Sequence, residues 1–366
     1  MNAPATVGDG RTGLAMPLRT SPSSRTWLSV IVAGALFAFA ACSDDPALDP
    51  LAAACTDGER VLRAGFYAYF APVSSSAGSG PGQPGFDTHL GYEADLLSAL
   101  EAMQGAALAF ERTAVAKWPD IWLLAAGPGY DLIGGGVTIL DARRRDDSGR
   151  EVIVFTSGHI AFRQSLLVRT EDLGRIPDHG ALGSSEWVGV LRDTTGEARL
   201  LQLTGLADAE GVLAAGVRVD TPAGELVADG SARYVITAAG ASPVLEGRRR
   251  MFPPTTDQPQ LIYLGDARGE TELLEALADG AIDAVARGEI GNRDSAHASG
   301  TAFAVTALDS VVEWGGFALA RTDAALARCI DAKLSYLTDD GQIGYAQWRA
   351  DTQVFMRRAE RWNLER

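Results

Sequence analysis

The sequence predicts an α/β fold built on parallel strands. Three observations carry that expectation: short apolar runs that read as buried strands, helical periodicities alternating with them, and Gly- and Pro-rich breaks between the two. Val61–Phe66 (VLRAGF) reads as the first strand and Ala77–Pro84 (AGSGPGQP) as a loop. In Gly91–Met103 the apolar residues Leu96, Leu97, Leu100 and Met103 recur at helical spacing. Leu108–Phe110 is the expected second strand, Trp118–Ala125 the next helix, and a further strand follows Asp131. Strand, helix, strand, helix, strand is the order of a parallel sheet with crossovers.

The chain is organised around Tyr130–Gly158, YDLIGGGVTILDARRRDDSGREVIVFTSG. Its strand runs into Gly134, Gly135 and Gly136, which let a backbone approach closely. Thr138 follows, then Arg143 in an expected short helical turn, before a closing strand at Val152–Phe155. Backbone N–H groups, a hydroxyl and a guanidinium converging after a strand make a carboxylate site, because the planar fork of Arg binds both oxygens. The plain alternative is a solvated charged turn formed by Arg143–Arg145 with Asp146 and Asp147.

Beyond it, His159–Arg169 is extended and apolar, Trp187–Leu191 is a buried strand, and a helix starts at Asp193–Glu197. Thr194 and Glu197 have capping-box spacing. Thr195 and its neighbouring amides then face the helix amino end, a natural anion position; an ordinary capped helix is the bland reading. From Leu206 to Pro259 the pattern alternates and turns at Pro222–Gly224 and Asp229–Gly230. It reads as two or three short antiparallel strands, an insertion outside the sheet scheme. Glu270–Asp279 is an expected helix, Ile282–Val285 and Phe317–Ala320 are strands, and Ala325–Leu337 is an amphipathic helix.

The amino end has the layout of an export signal. Arg11, Arg19 and Arg25 precede the apolar run Trp27–Ala41, which is short for a bilayer span and ends in small residues. Met16 would give a more usual leader than Met1. Phe39–Ala40–Ala41–Cys42 resembles the lipobox of bacterial lipoproteins, with Phe in place of the commoner Leu. That resemblance implies cleavage before Cys42, acyl chains on it, and a tether over residues 42–60. A simple signal peptide with an incidental Cys42 is the alternative.

The chain has 366 residues and a formal net charge of −15, and 46% of it is hydrophobic. Losing residues 1–41 removes three Arg and Asp9, leaving 29 basic and 46 acidic residues. That excess argues against nucleic acid, whose phosphates need a basic face. Cys55 and Cys329 could pair in an oxidising compartment or stay separate buried thiols. The scattered His and Cys lack metal-ligand spacing, and no cofactor motif is present.

Taken in order, GYEADLLSAL, GYDLIGGGVTILDARR, VIVFTSG, WVGVLRDTTGE, LLEALADGAIDAV and LARTDAALARCIDAKLSYLTDDGQIGYAQW resemble the family-3 extracellular solute-binding proteins of ABC transporters, polar amino acid type. The resemblance runs from about Val61 to about Trp348, apart from the insertion. It implies a type II periplasmic-binding-protein-like fold: two lobes, each a mostly parallel sheet flanked by helices, joined by a two-segment hinge, with the β-rich insertion in lobe two. Lobe one would be 61–159 plus 305–366 and lobe two 160–304, with crossings near Ala161–Leu167 and Gly300–Val305. Closure on a small carboxylate-bearing solute would serve an ABC permease, on the periplasmic side of a membrane and lipid-anchored at Cys42.

Carried over by motif, Arg143 would clamp the solute carboxylate, with Thr138, the Gly136 backbone and Thr195 assisting. Phe70, or Tyr69 beside it, would pack on the solute, and Ile121 or Trp122 would line the same wall. The departures concern the amine end. The family's acid five residues after Asp283 is Gly288 here, and Glu289 substitutes only by a one-residue shift. Leu140 replaces a usual Thr and His159 a usual Tyr. A dehydratase of the cyclohexadienyl or arogenate type on the same fold is the competing expectation, with Glu197, Glu289 or His159 as general acid. A sensor or partner-binding module is the third.

Overall fold

The computed structural model describes residue 51 and residues 53–366. Cys42 and the expected leader lie outside the described residues. Those described fall within one compact unit, Leu48–Arg366.

The first sheet is ordered Phe110–Val115, Leu62–Tyr67, Leu132–Gly134, Ala318–Ala320, Ile153–Phe155. Its first two pairings are parallel and the two made by Ala318–Ala320 are antiparallel. The helix Tyr92–Ala102 covers it with Leu96, Leu97 and Leu100 buried, as the helical spacing predicts. The expected helix at Trp118–Ala125 is instead a 3₁₀ turn, Ile121–Ala126. Pro119 disfavours helical backbone at Trp118, and Asp120 adopts a left-handed φ of 61°, so no α-helix begins there.

The second sheet is ordered Gly224–Val227, Arg218–Thr221, Arg250–Phe252, Gln260–Tyr263, Trp187–Val190, Ala284–Gly288, Gln164–Arg169, Phe303–Thr306. Trp187–Val190 pairs in parallel on both sides and forms its centre. The insertion corrects the sequence reading. Arg250–Phe252 pairs antiparallel with Gln260–Tyr263, so the inserted strands extend the sheet, covering an edge that would otherwise present unpaired backbone groups. Only the small hairpin Ile236–Thr237/Gly240–Ala241 stands apart from it among the inserted strands described.

Between the sheets the chain crosses twice, and Ile160–Phe162 pairs there with Glu313–Gly315. The second crossing therefore falls later than Gly300–Val305, because Phe303–Thr306 is already bonded into the second sheet. The expected tether at 42–60 is also too long. Cys55 N–H donates to the Ala106 carbonyl, and Lys333 Nζ donates to the Ala53 carbonyl at 2.8 Å. Cys55 and Cys329 form a disulfide, fastening this segment to the helix Ala324–Thr338. Among the described residues no helix is long and apolar enough to cross a membrane.

Candidate functional site

A cavity lies between the sheets, at the carboxyl ends of their parallel strands, where open α/β sheets take ligands. Phe70, Trp118, Gly136 and Thr138 wall it from the first lobe. Leu191, Thr194, Thr195, Gly196, Glu270, Leu273, Ala286, Arg287 and Gly288 wall it from the second, with Phe162 and Gln164 on the crossing segment. Its volume is about 40 Å³.

The polar groups around it are joined in a chain. Thr138 Oγ1 donates to Glu313 Oε2 at 3.3 Å, and Gln164 Nε2 donates both to that oxygen at 2.9 Å and to Thr195 Oγ1 at 2.8 Å. First lobe, second crossing, first crossing and second lobe are thereby linked. Burial raises the half-buried Glu313 carboxyl, against the pull of its neutral donors and of Arg143. Across the cavity, Arg287 donates to Glu270 Oε2 at 2.6 Å, to Asn292 Oδ1 at 2.7 Å and to the Gly291 carbonyl at 2.7 Å. Burial pushes the Glu270 carboxyl up while Arg287 draws it down.

Thr195 reaches the cavity because Thr194 caps its helix, accepting the Glu197 N–H at 3.1 Å. Glu197 does not complete the reciprocal cap. Its carboxylate accepts the Asp193 N–H at 2.7 Å and lies in a buried pair with Arg248 of the insertion, at 2.7 and 2.8 Å. Gly136 lines the cavity, but its N–H is committed to Glu93 Oε1 at 3.0 Å, beside Gly135 N–H and His159 Nε2. A Cβ on Gly136 would lie 2.7 Å from the Phe70 ring, at a φ of +69°; glycine is required there.

Arg143 is fully buried in the turn Ala142–Arg144 and is not on the cavity wall. The solvated-turn reading is therefore wrong for this residue. Its guanidinium is 4.2 Å from the Trp122 ring centroid and 5.4 Å from that of Trp118. Nε and Nη2 both donate to the Ala238 carbonyl, at 3.0 and 2.7 Å; Nη2 also donates to Asp193 O at 3.1 Å and Nη1 to Thr138 O at 3.2 Å. A carbonyl from the inserted hairpin thus sits on the fork expected to hold a solute carboxylate. Burial pushes the Arg143 pKa down to about 9, which leaves it charged at neutral pH.

Of the other expected residues, Phe70, Thr138 and Gly288 reach the cavity, whereas Tyr69, Trp122 and Glu289 do not. Trp122 is spent on Arg143, and Glu289 pairs with Arg293 at 3.2 Å on its own helix. Gln164, Glu270, Arg287 and Glu313 were missed. Gln164 and Glu270 lie in segments read only as extended chain or helix, Arg287 and Glu313 fall outside every element read from the sequence, and no local motif marks any of the four. Among the described residues no cluster of His, Cys, Asp or Glu could hold a metal ion.

No family model and no curated protein matches the sequence. Solved structures match in fold. Holo ArgBP of T. maritima gives a TM-score of 0.51 at 16% identity, over 79% of this chain and 96% of that one. The substrate-binding protein of an amino acid ABC transporter gives 0.52 at 13%, over 83% and 99%. The ancestral amino acid-binding protein AncCDT-1, a precursor of cyclohexadienyl dehydratase, gives 0.51 at 16%, over 82% and 95%. The chain has the type II periplasmic-binding-protein fold, two α/β lobes about a hinge. Identities this low establish fold alone.

Proposed function

We propose that the protein is an exported, lipid-anchored solute-binding clamp that captures a small solute, an amino acid or related acid, for an ABC-type permease. The observation that carries this reading is a cavity walled by both lobes, whose polar rim runs unbroken from Thr138 through Glu313 and Gln164 to Thr195. A solute touching both ends of that chain favours the closed arrangement by its differential contacts. The amino end of the Thr195–Leu203 helix offers backbone N–H groups to a solute carboxylate. That role passes to Thr195 and Gly196, since Arg143 is engaged by the chain itself. Arg143 then aids binding by joining Thr138 in the first lobe to Asp193 and Ala238 in the second. Anchoring at Cys42 and residence on the periplasmic side belong to the same proposal.

Titration calorimetry against the standard amino acids and short dicarboxylates tests it. One site per chain is expected for at least one of them, and no heat from any of them would overturn it. Mass spectrometry of the membrane-extracted protein tests the anchor: an unacylated Cys42 removes that part.

One observation favours a second reading, a dehydratase on the same fold. Glu313 is a carboxyl beside the cavity whose protonated form is favoured by burial, as a general acid requires. Glu197 and Glu289, the acids expected from sequence, are held elsewhere. Incubation with prephenate or arogenate without product, followed by absorbance, would end this reading.

A further inference from the structure

We propose that the recognised end of the solute is a protonated amino group, received by Gln164 Oε1 together with the Glu313 carboxylate. The inference rests on the clamp reading and names the group that site selects. Gln164 lines the cavity with only 3% of its surface exposed. Its amide nitrogen is fully used, by Thr195 and Glu313, whereas its Oε1 has no hydrogen-bond partner. A buried amide oxygen left without a donor costs about 1–3 kcal/mol, so such a group is a demand for a donor.

Glu313 makes the same demand. It accepts from Thr138 and Gln164, both neutral, and forms no ion pair within 4.0 Å among the described residues. A carboxylate partly removed from water with only neutral donors is stabilised by an arriving cation. The aromatic residues Phe70, Phe162 and Trp118 line the same space, and aromatic rings attract an ammonium where it meets a ring face.

An acid-led assignment would need a free guanidinium, and the structure offers backbone N–H groups of the Thr195–Leu203 helix instead. Arg143 is engaged by the carbonyls of Thr138, Asp193 and Ala238, and Arg287 by Glu270, Asn292 and Gly291. Neither guanidinium is available to lead recognition of an acid. The residues that hold the amine thus come from the two crossing segments, Gln164 from the first and Glu313 from the second. Gly288 leaves room beside them, with the Phe70 and Phe162 rings within 3.5 Å of where its Cβ would stand.

The test uses the purified protein and calorimetry. For each standard amino acid that binds, two analogues are titrated: the amine lacking the carboxylate and the acid lacking the α-amine. The amine should bind within about tenfold of its parent and the deaminated acid about a hundredfold more weakly. Glu313→Gln, which keeps the shape, should weaken the amine about tenfold or more and leave the acid unchanged. Deaminated acids binding as tightly as their parents, or amine affinity indifferent to Glu313→Gln, would overturn the inference and leave the clamp standing. Binding by none of the amino acids overturns the inference, and the clamp falls with it only if the short dicarboxylates give no heat either. The comparison of analogues on the unaltered protein decides the matter even if the variant folds poorly.

Discussion

At the scale of single residues, burial sets the properties that pH and mutation will reveal. His89 stacks on Phe66 at 4.0 Å and lies 2.9 Å from Ser74 Oγ. That hydroxyl gives its proton to the Tyr67 carbonyl, so Nε2 of His89 must be the donor and Nδ1 is bare. Burial, with Arg112 nearby, drives the imidazole pKa down to about 3. The folded protein holds it neutral, while the unfolded chain protonates it below about 6.5. Stability should therefore decline as pH falls from about 6.5 towards 3, by on the order of 4 kcal/mol from this residue. Urea midpoints across that range check it, and His89→Leu should flatten the dependence. Arg143→Ala strips donors from three buried carbonyls and empties a space under two Trp rings, so it should cost about 2–4 kcal/mol in a denaturant titration. An exposed clamp residue would cost almost nothing. Gly136 and Thr138 were legible in the GYDLIGGGVTILDARR motif, and Phe70 only as what the resemblance implied, with Tyr69 as its alternative. Gln164, Glu270 and Glu313 were not, because they meet only after the chain has crossed twice between sheets.

At the scale of elements, the insertion is the largest departure from the sequence reading. Alternation announced its strands, but alternation does not say whether a hairpin stands alone or joins an edge. Here the edge at Gln260–Tyr263 recruited it, and with it came Arg248 and the Ala238 carbonyl. The Thr194 cap was visible at its spacing; the Glu197 pairing was invisible, since its partner lies 51 residues away. Arg248→Met should leave the Glu197 carboxylate buried and unpaired, costing about 3–5 kcal/mol. Adding Glu197→Leu should recover much of that loss, because an apolar pair tolerates the same burial. A double variant no more stable than Arg248→Met would contradict the pairing. The lost helix at Trp118 teaches the same point locally: apolar spacing suggested it, and Pro119 with Asp120 forbade it.

At the scale of the molecule, the alternation of strands and helices and the order of motifs carried the two-lobed architecture, while the second crossing and the tether's end shifted. The disulfide Cys55–Cys329 closes a span of 274 residues. Its reduction should lower stability by about 2–5 kcal/mol, read as a lower urea midpoint in reductant. The account as a whole depends on two lobes closing over one solute. Nitroxide labels at the exposed positions Ser148, on the first lobe, and Glu225, on the second, report the distance between them by pulsed electron resonance. With a solute that calorimetry shows to bind one per chain, the distribution should narrow and move to a single closed distance. Stoichiometric binding that leaves the distribution unchanged would contradict the account.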